Sequence, residues 1–523
     1  MMSADRAEPT GRPDRSGRQV LTVGASGDAG AVFAALSAAY TVHAEPASTL
    51  RWTWLDTADW RLHRAGVALR EERRGRGRDL VLDRPGRPAE AASCLGIRWP
   101  ARLDRVSPSP VRDAIAPTVG VRALLPVAEV ETRHVLLHLR DDAGKTRVRV
   151  SVDQQRLLSP RRAALPLHVV VRPLRGYDGD ARRCVELLAD AMGAEPTELS
   201  ATAAALAAAG HLPDTVLGGG IDAAPAALEP TAPAVRVVAA ALLADVAVVD
   251  GTREGAIADH DTEFLHDLRS AVRATRALLA VAGHLLHGRS AVRVERDLAW
   301  LEEMTAPLRA VDIALLGLAE GSGDTAIDGL AADAIEPLRE ELRRRRQREL
   351  RRMRATLRAS RAPAAFTAWR RDLTTMLDAD VIGPAAIEAA TALADAAFDA
   401  LAGASPAVGE GGSDGLAPAV ASLRAVLAAF VPLYRSPVEQ LRRDLDELYE
   451  TLRRREGVRI THMHVHDAAH AGAMPVPAVL AAGAIVDRLR REEAALDERV
   501  RDAHRDAVRP RSRRRLATEV TSR

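Results

Sequence analysis

The apolar period of this chain changes near residue 215, and that change restricts the fold more than any other feature. Upstream, short apolar runs alternate with polar residues and turn signals at Gln19–Val23, Arg51–Leu55, Val67–Arg70, Asp79–Leu82, Val135–Arg140, Arg147–Val152 and Leu167–Val171. A period of two puts one face of each run against a core, so these segments predict strands. Asp141-Asp142-Ala143-Gly144 reads as a hairpin turn between two of them. Helical spacing interrupts the strands at 28–39, 181–192 and 198–210. Downstream of a stretch rich in Gly, Pro and Ala, the period is helical almost throughout, near 235–248, 264–286, 291–316, 333–359, 366–377, 385–401, 418–434, 437–455 and 476–507. The basic tail from Pro510 reads as frayed. The expected fold class is α+β, with an antiparallel sheet domain at 18–212, a linker at 213–233 and an all-α domain at 234–510.

One of these helices carries an unusual stripe. In Leu265-His266-Asp267-Leu268-Arg269-Ser270-Ala271-Val272-Arg273-Ala274-Thr275-Arg276, the positions of His266, Arg269, Arg273 and Arg276 fall within about 80° of arc. Like charges this close repel, so the stripe is explained by an anion seated on it, or by acidic neighbours on a solvated face. The whole chain of 523 residues carries a net charge of only +2, so any basic site arises from local segregation of charge. Lys145 is the only lysine, and arginine supplies a planar fork suited to phosphate oxygens. Aromatic residues make up 3% of the chain, which argues against base stacking on single-stranded nucleic acid. Cys94 and Cys184 have neither metal spacing nor a disulfide framework, and the polar N-terminus has no secretory h-region. With no apolar stretch of about 20 residues, the expected location is the cytoplasm.

The helical half reads as an internal duplication, at about 234–401 and 416–510. Shifted by 147, Arg296-Asp297-Leu298 falls on Arg443-Asp444-Leu445, Leu301 on Leu448 and Val311 on Val458. Shifted by 148, Arg276 falls on Arg424, but His266 meets Asp414, Arg269 meets Ala417 and Arg273 meets Ala421. The second copy therefore lacks the stripe.

The stripe followed by Ala306-Pro307-Leu308-Arg309-Ala310-Val311-Asp312 resembles the CHAD family, the conserved-histidine α-helical domain, over about residues 229–510. That resemblance implies a duplicated helical bundle with a basic surface that binds inorganic polyphosphate, here through His266, Arg269, Arg273, Arg276 and Arg309. The arginine-rich helix around Arg344, Arg348 and Arg351 is expected to continue the surface. Upstream, Leu55-Asp56-Thr57-Ala58-Asp59-Trp60-Arg61-Leu62, Gly66, Leu69-Arg70, the Asp141 hairpin and Val150-Ser151-Val152-Asp153 are similar to the CYTH superfamily of triphosphate tunnel metalloenzymes. This second resemblance implies a tunnel-like antiparallel β-barrel holding triphosphate-containing molecules, with basic residues on phosphate and carboxylates on Mg²⁺ or Mn²⁺. Arg70, Arg133, Lys145, Arg147 and Arg149 are the candidates for an anion-binding bore, and Asp153 is the one weak metal candidate.

The departures from that second pattern decide the functional expectation. The family opens on Glu-x-Glu-x-Lys, where this chain has Gln19, Leu21 and Val23. Its late glutamate strand reads Leu167-His168-Val169-Val170-Val171-Arg172 here, and its closing Ser-Lys is Ser200-Ala201. Hard divalent cations need several oxygen ligands, which Asp153 alone does not supply. The expectation is a polyphosphate-binding protein with an inactive barrel, no catalytic residue and no cofactor, in the cytoplasm or at polyphosphate granules. The alternatives are metal-dependent triphosphate hydrolysis in the barrel, and nucleic-acid binding. Asp312 is expected to orient an arginine such as Arg309. His462, His464, His466 and His470 are expected in a loop or helix start, as an adventitious metal site or a pH-sensitive patch.

Overall fold

The computed structural model describes residues 19–24, 27–74, 77–84, 87, 89–196, 201–210, 229–286, 290–320, 332–378, 383–406, 415–434, 438–470 and 474–519. Most of the expected linker, and Ser200, lie outside them. The chain forms two compact units, 1–216 and 217–523.

The first unit holds strands β1 (Gln19–Val23), β2 (Thr41–Ala44), β3 (Ser48–Asp56), β4 (Ala68–Arg74), β5 (Gly77–Asp83), β6 (Glu90–Ser93), β7 (Ala101–Arg102), β8 (Ala123–Arg140), β9 (Thr146–Ser159), β10 (Ala163–Ala164), β11 (Leu167–Pro173) and β12 (Glu195–Pro196). Helices α1 (Ala29–Ser37), α2 (Arg61–Arg64), α3 (Pro110–Val119), α4 (Asp178–Met192) and α5 (Ala201–Ala209) accompany them. The strands pair antiparallel in the order β12-β1-β11-β9-β8-β3-β4-β5-β6, with β2 and β7 on β8 and β10 on β9. This path is open at β12 and β6, so the architecture is the expected antiparallel sheet and fits a barrel only loosely. The β8–β9 hairpin turns where expected, with Gly144 at φ +77° and the Asp141 carboxylate accepting from the backbone N–H of Lys145 at 2.9 Å.

The period of two assigns the faces. Val148, Val150 and Val152 pack with Leu21, Val23, Val169 and Val171 in a core that also takes in Val32 and Leu36 of α1 and Cys184 and Leu188 of α4. Leu21 and Val23, which stand where the tunnel family has carboxylate and lysine, are thus apolar core. Arg149, Ser151 and Asp153 point to the opposite face. The Asp56 motif is structural: its buried carboxylate accepts from the backbone N–H groups of Thr57 (2.7 Å), Leu62 (3.0 Å) and His63 (2.9 Å), closing the turn into α2.

The second unit contains α6 (Ala234–Ala258), α7 (Thr262–Ala282), α8 (Ser290–Glu320), α9 (Ala332–Arg358), α10 (Arg361–Asp378), α11 (Ala386–Gly403), α12 (Leu416–Ala429), α13 (Val438–His470), α14 (Val476–Ala507) and α15 (Pro510–Glu519). The order helix, helix closed by a 3₁₀ turn, long helix, long helix occurs at α6–α9 and again at α11–α14. By that order the second set opens at α11, which the sequence repeat had assigned to the first copy. The expected frayed tail is helical as far as Glu519. α13 runs 15 residues past the expected end, because Val458, Val465 and Ala468 keep a buried stripe against α8, α9 and α14.

Candidate polyanion groove

The stripe helix is set by its N-terminal corner. Asp261 caps α7, its carboxylate accepting from the backbone N–H of Glu263 (2.8 Å) and Phe264 (3.1 Å). The Phe264 ring lies against Gly255 of α6, where a Cβ would come within 2.2 Å of it. Arg346 of α9 ties this corner down, donating to Asp259 at 2.8 Å and to Asp312 of α8 at 2.6 Å. Asp312 therefore orients Arg346 rather than Arg309, and burial pushes its carboxyl up to about 6.

α7, α8, α13 and α14 enclose a groove of about 1120 Å³. His266, Arg269 and Arg273 of the stripe line it, as does Arg309 of α8. The opposite wall brings Arg453, Arg454, Arg459 and Arg488, so seven arginines face three glutamates, Glu450, Glu456 and Glu492. The arginines of α13 and α14 were not among the sequence candidates, since nothing local marks which of many arginines meet across a bundle. Arg276 does not line the groove, and nor do Arg344, Arg348 and Arg351. Arg344 and Arg348 pair with Glu341 on the exposed face of α9, at 3.0 and 3.7 Å.

The stripe has acidic partners, which is one of the two explanations its sequence left open. Glu302 of α8 accepts from Arg273 at 2.6 Å and from Arg276 at 2.5 Å, and lies 3.9 Å from Arg269. Arg276 additionally pairs with Glu295 at 2.8 Å. One carboxylate thus serves three guanidinium groups. Arg269 is 5% exposed; it donates to the Glu302 carbonyl at 2.5 Å and to Thr305 Oγ1 at 2.6 Å, while its buried Nε has no hydrogen-bond partner. Burial, with Arg273 beside it, pushes Arg269 down to about 10. Burial likewise lowers Arg309, which Glu263 offsets at 3.5 Å. Arg488 has a buried Nε without a partner. His266 Nε2 lies 3.3 Å from Arg453 Nη2. A guanidinium only donates, so Nε2 accepts and this imidazole carries its proton elsewhere.

A second cavity, of about 940 Å³, opens on the non-core face of the sheet. Arg70, Arg149 and Asp153 line it, joined by His134 and Arg172, which the sequence did not single out. Arg133 is exposed outside the lining, and Lys145 and Arg147 stand instead over the Tyr177 ring at 5.6 and 5.4 Å. The carboxylates of the lining are Glu72 and Asp153. Glu72 is held by Arg70 at 2.7 Å and Asp153 by His134 at 2.6 Å. Among the described residues no group of three or more His, Cys, Asp or Glu side chains converges on a metal-sized site. The cavity therefore does not fit a hard divalent pair. Among the described residues no helix is long and apolar enough to cross a membrane.

Comparison with known proteins places residues 240–456 in the CHAD domain family. Among solved structures, the chain is similar to the CHAD domain of the plant Ricinus communis (17% identity, 54% of this chain and 95% of the other, TM-score 0.44). It is also similar to PptA of Streptomyces chartreusis (19% identity, 52% and 99%, TM-score 0.39). A third similar structure is that of HpAC1 from Hippeastrum, named as an adenylyl cyclase and described as having a dominant triphosphatase activity (14% identity, 37% and 96%, TM-score 0.27). No curated protein matches the sequence.

Proposed function

We propose, from the premise that residues 240–456 form a CHAD domain, that this protein binds inorganic polyphosphate in the groove of its helical unit. The observation that carries the reading is Arg269, a buried guanidinium with an unused N–H, beside Arg309 and Arg488, in a groove where arginines outnumber carboxylates. Desolvated positive charge is costly, and a phosphate chain relieves it by supplying oxygen acceptors that one shared Glu302 does not. Arg273 and Arg453 hold the chain from opposite walls, and His266 Nε2, freed from Arg453, meets it as a donor once protonated. The sheet unit is read as non-catalytic, because the two cavity carboxylates are already engaged by Arg70 and His134, while Arg149 and Arg172 suit it to small triphosphate-bearing molecules. The proposed location is cytoplasmic.

The test is a salt titration of long-chain polyphosphate binding. Each phosphate contact removed makes the slope of log K against log salt shallower by roughly one unit. Arg273→Ala with Arg453→Ala is expected to weaken binding and flatten the slope by about two units. An unchanged slope removes the groove from the site. Competition by duplex DNA of matched charge distinguishes a polyphosphate site from a nucleic-acid surface.

A further inference from the structure

The histidines near the end of α13 change meaning once their backbone is known. On an α-helix His464 lies about 200° from both His462 and His466. His464 faces α9, where burial and Arg345 lower its pKa. His462 sits half-buried, with Nδ1 3.9 Å from Glu493 of α14. His466 and His470, one turn apart, share the exposed face of the last turn. Their ring centroids are 4.3 Å apart, with the planes inclined at 33°.

The hydrogen-bonding side of the His470 ring is already committed. His470 Nδ1 donates to the backbone carbonyl of His466 at 2.8 Å. His466 Nδ1 lies 3.6 Å from the Asp467 carboxylate. The carbonyl on Nδ1 fixes the His470 tautomer in which Nε2 carries the lone pair, the arrangement found behind metal-ligating imidazoles. The turn itself is anchored, because Arg345 of α9 donates to the Asp467 carbonyl at 3.0 Å. Histidines at i and i+4 on one helical face can bring two ring nitrogens to one ion at about 2.1 Å, which these exposed rings reach by turning out of their stack.

We propose that His466 and His470 form a two-imidazole site for a borderline divalent transition ion of the Zn²⁺, Cu²⁺ or Ni²⁺ class. Nitrogen donors on one helical face select these ions over Mg²⁺ and Ca²⁺, which take oxygen. Water completes the coordination shell. The site is separate from the groove arginines, and it does not depend on the polyphosphate reading.

The experiment titrates the full chain with Cu²⁺ and Zn²⁺, by competition with an indicator and by electron paramagnetic resonance of the Cu²⁺ form. His466→Gln and His470→Gln are each expected to weaken the tightest site at least tenfold and to lower the number of coordinated nitrogens from two to one. His464→Gln is expected to stay within twofold of the parent. Circular dichroism checks that the variants fold, which the exposure of both side chains favours. A loss of less than tenfold in either variant, or an equal loss in His464→Gln, overturns the proposal.

Discussion

The carboxylate of Glu302 accepts from Arg273 Nε at 2.6 Å and, through its other oxygen, reaches Arg276. This pairing makes Glu302 an internal stand-in for the anion that the stripe would bind. The Arg273, Arg276 and Arg269 guanidinium groups hold its carboxyl below the usual range, against the opposing effect of its burial. It therefore stays ionised at neutral pH and, on the proposed function, would compete with an incoming phosphate.

Glu302→Gln is expected to tighten polyphosphate binding several-fold and to steepen its salt dependence, since one competing charge is removed. Isothermal titration at two salt concentrations measures both. Weaker binding would show that Glu302 chiefly orients the arginines, and would reject the competition argument.

The corner between α6 and α7 leaves no room for a side chain at Gly255, where a Cβ would overlap the Phe264 ring. Gly255→Ala is expected to cost about 1–3 kcal/mol by overpacking, read as a lower denaturation midpoint with unchanged m-value. Because Asp261 and Phe264 set the start of α7, polyphosphate affinity should fall as well.

Asp245 of α6 is buried, accepts from Thr275 Oγ1 at 3.1 Å, and is pushed by burial up to about 7. A carboxyl raised in the folded state binds its proton more tightly there than in the unfolded chain. Stability from this group is therefore greatest below about pH 4 and declines as pH rises towards 7. Asp245→Asn keeps an oxygen for Thr275 and removes the charge. It is expected to be more stable than the parent at pH 8, by on the order of 1–3 kcal/mol, with the gain vanishing near pH 4. Denaturant melts at several pH values measure this, and a variant less stable at pH 8 refutes it.

Arg346 holds Asp312 and Asp259 together across three helices. Arg346→Met is expected to cost about 3–5 kcal/mol, because it leaves the Asp312 carboxylate buried without its main partner. The double variant with Asp312→Asn should recover a large part of that loss, and no recovery would place the cost in packing instead.

Periodicity made much of the architecture legible from the sequence. Gln19–Val23 alternates as a half-buried strand does, Leu167–Val171 is a short strand buried at every position, and the 3.6-residue period outlined most helices, because side-chain direction is fixed by the local backbone. The stripe of His266, Arg269 and Arg273 was legible for the same reason. What only the tertiary structure decided is which charges meet. Arg453 lies 187 residues from His266, and Glu302 lies 29 from Arg273. No local period encodes such pairings, which arise when separate helices pack. Packing of Val465 and Ala468 likewise carries α13 through its histidines, so that His466 comes to face His470 rather than His464. Local geometry sets where a side chain points, and the assembled core sets what it finds there.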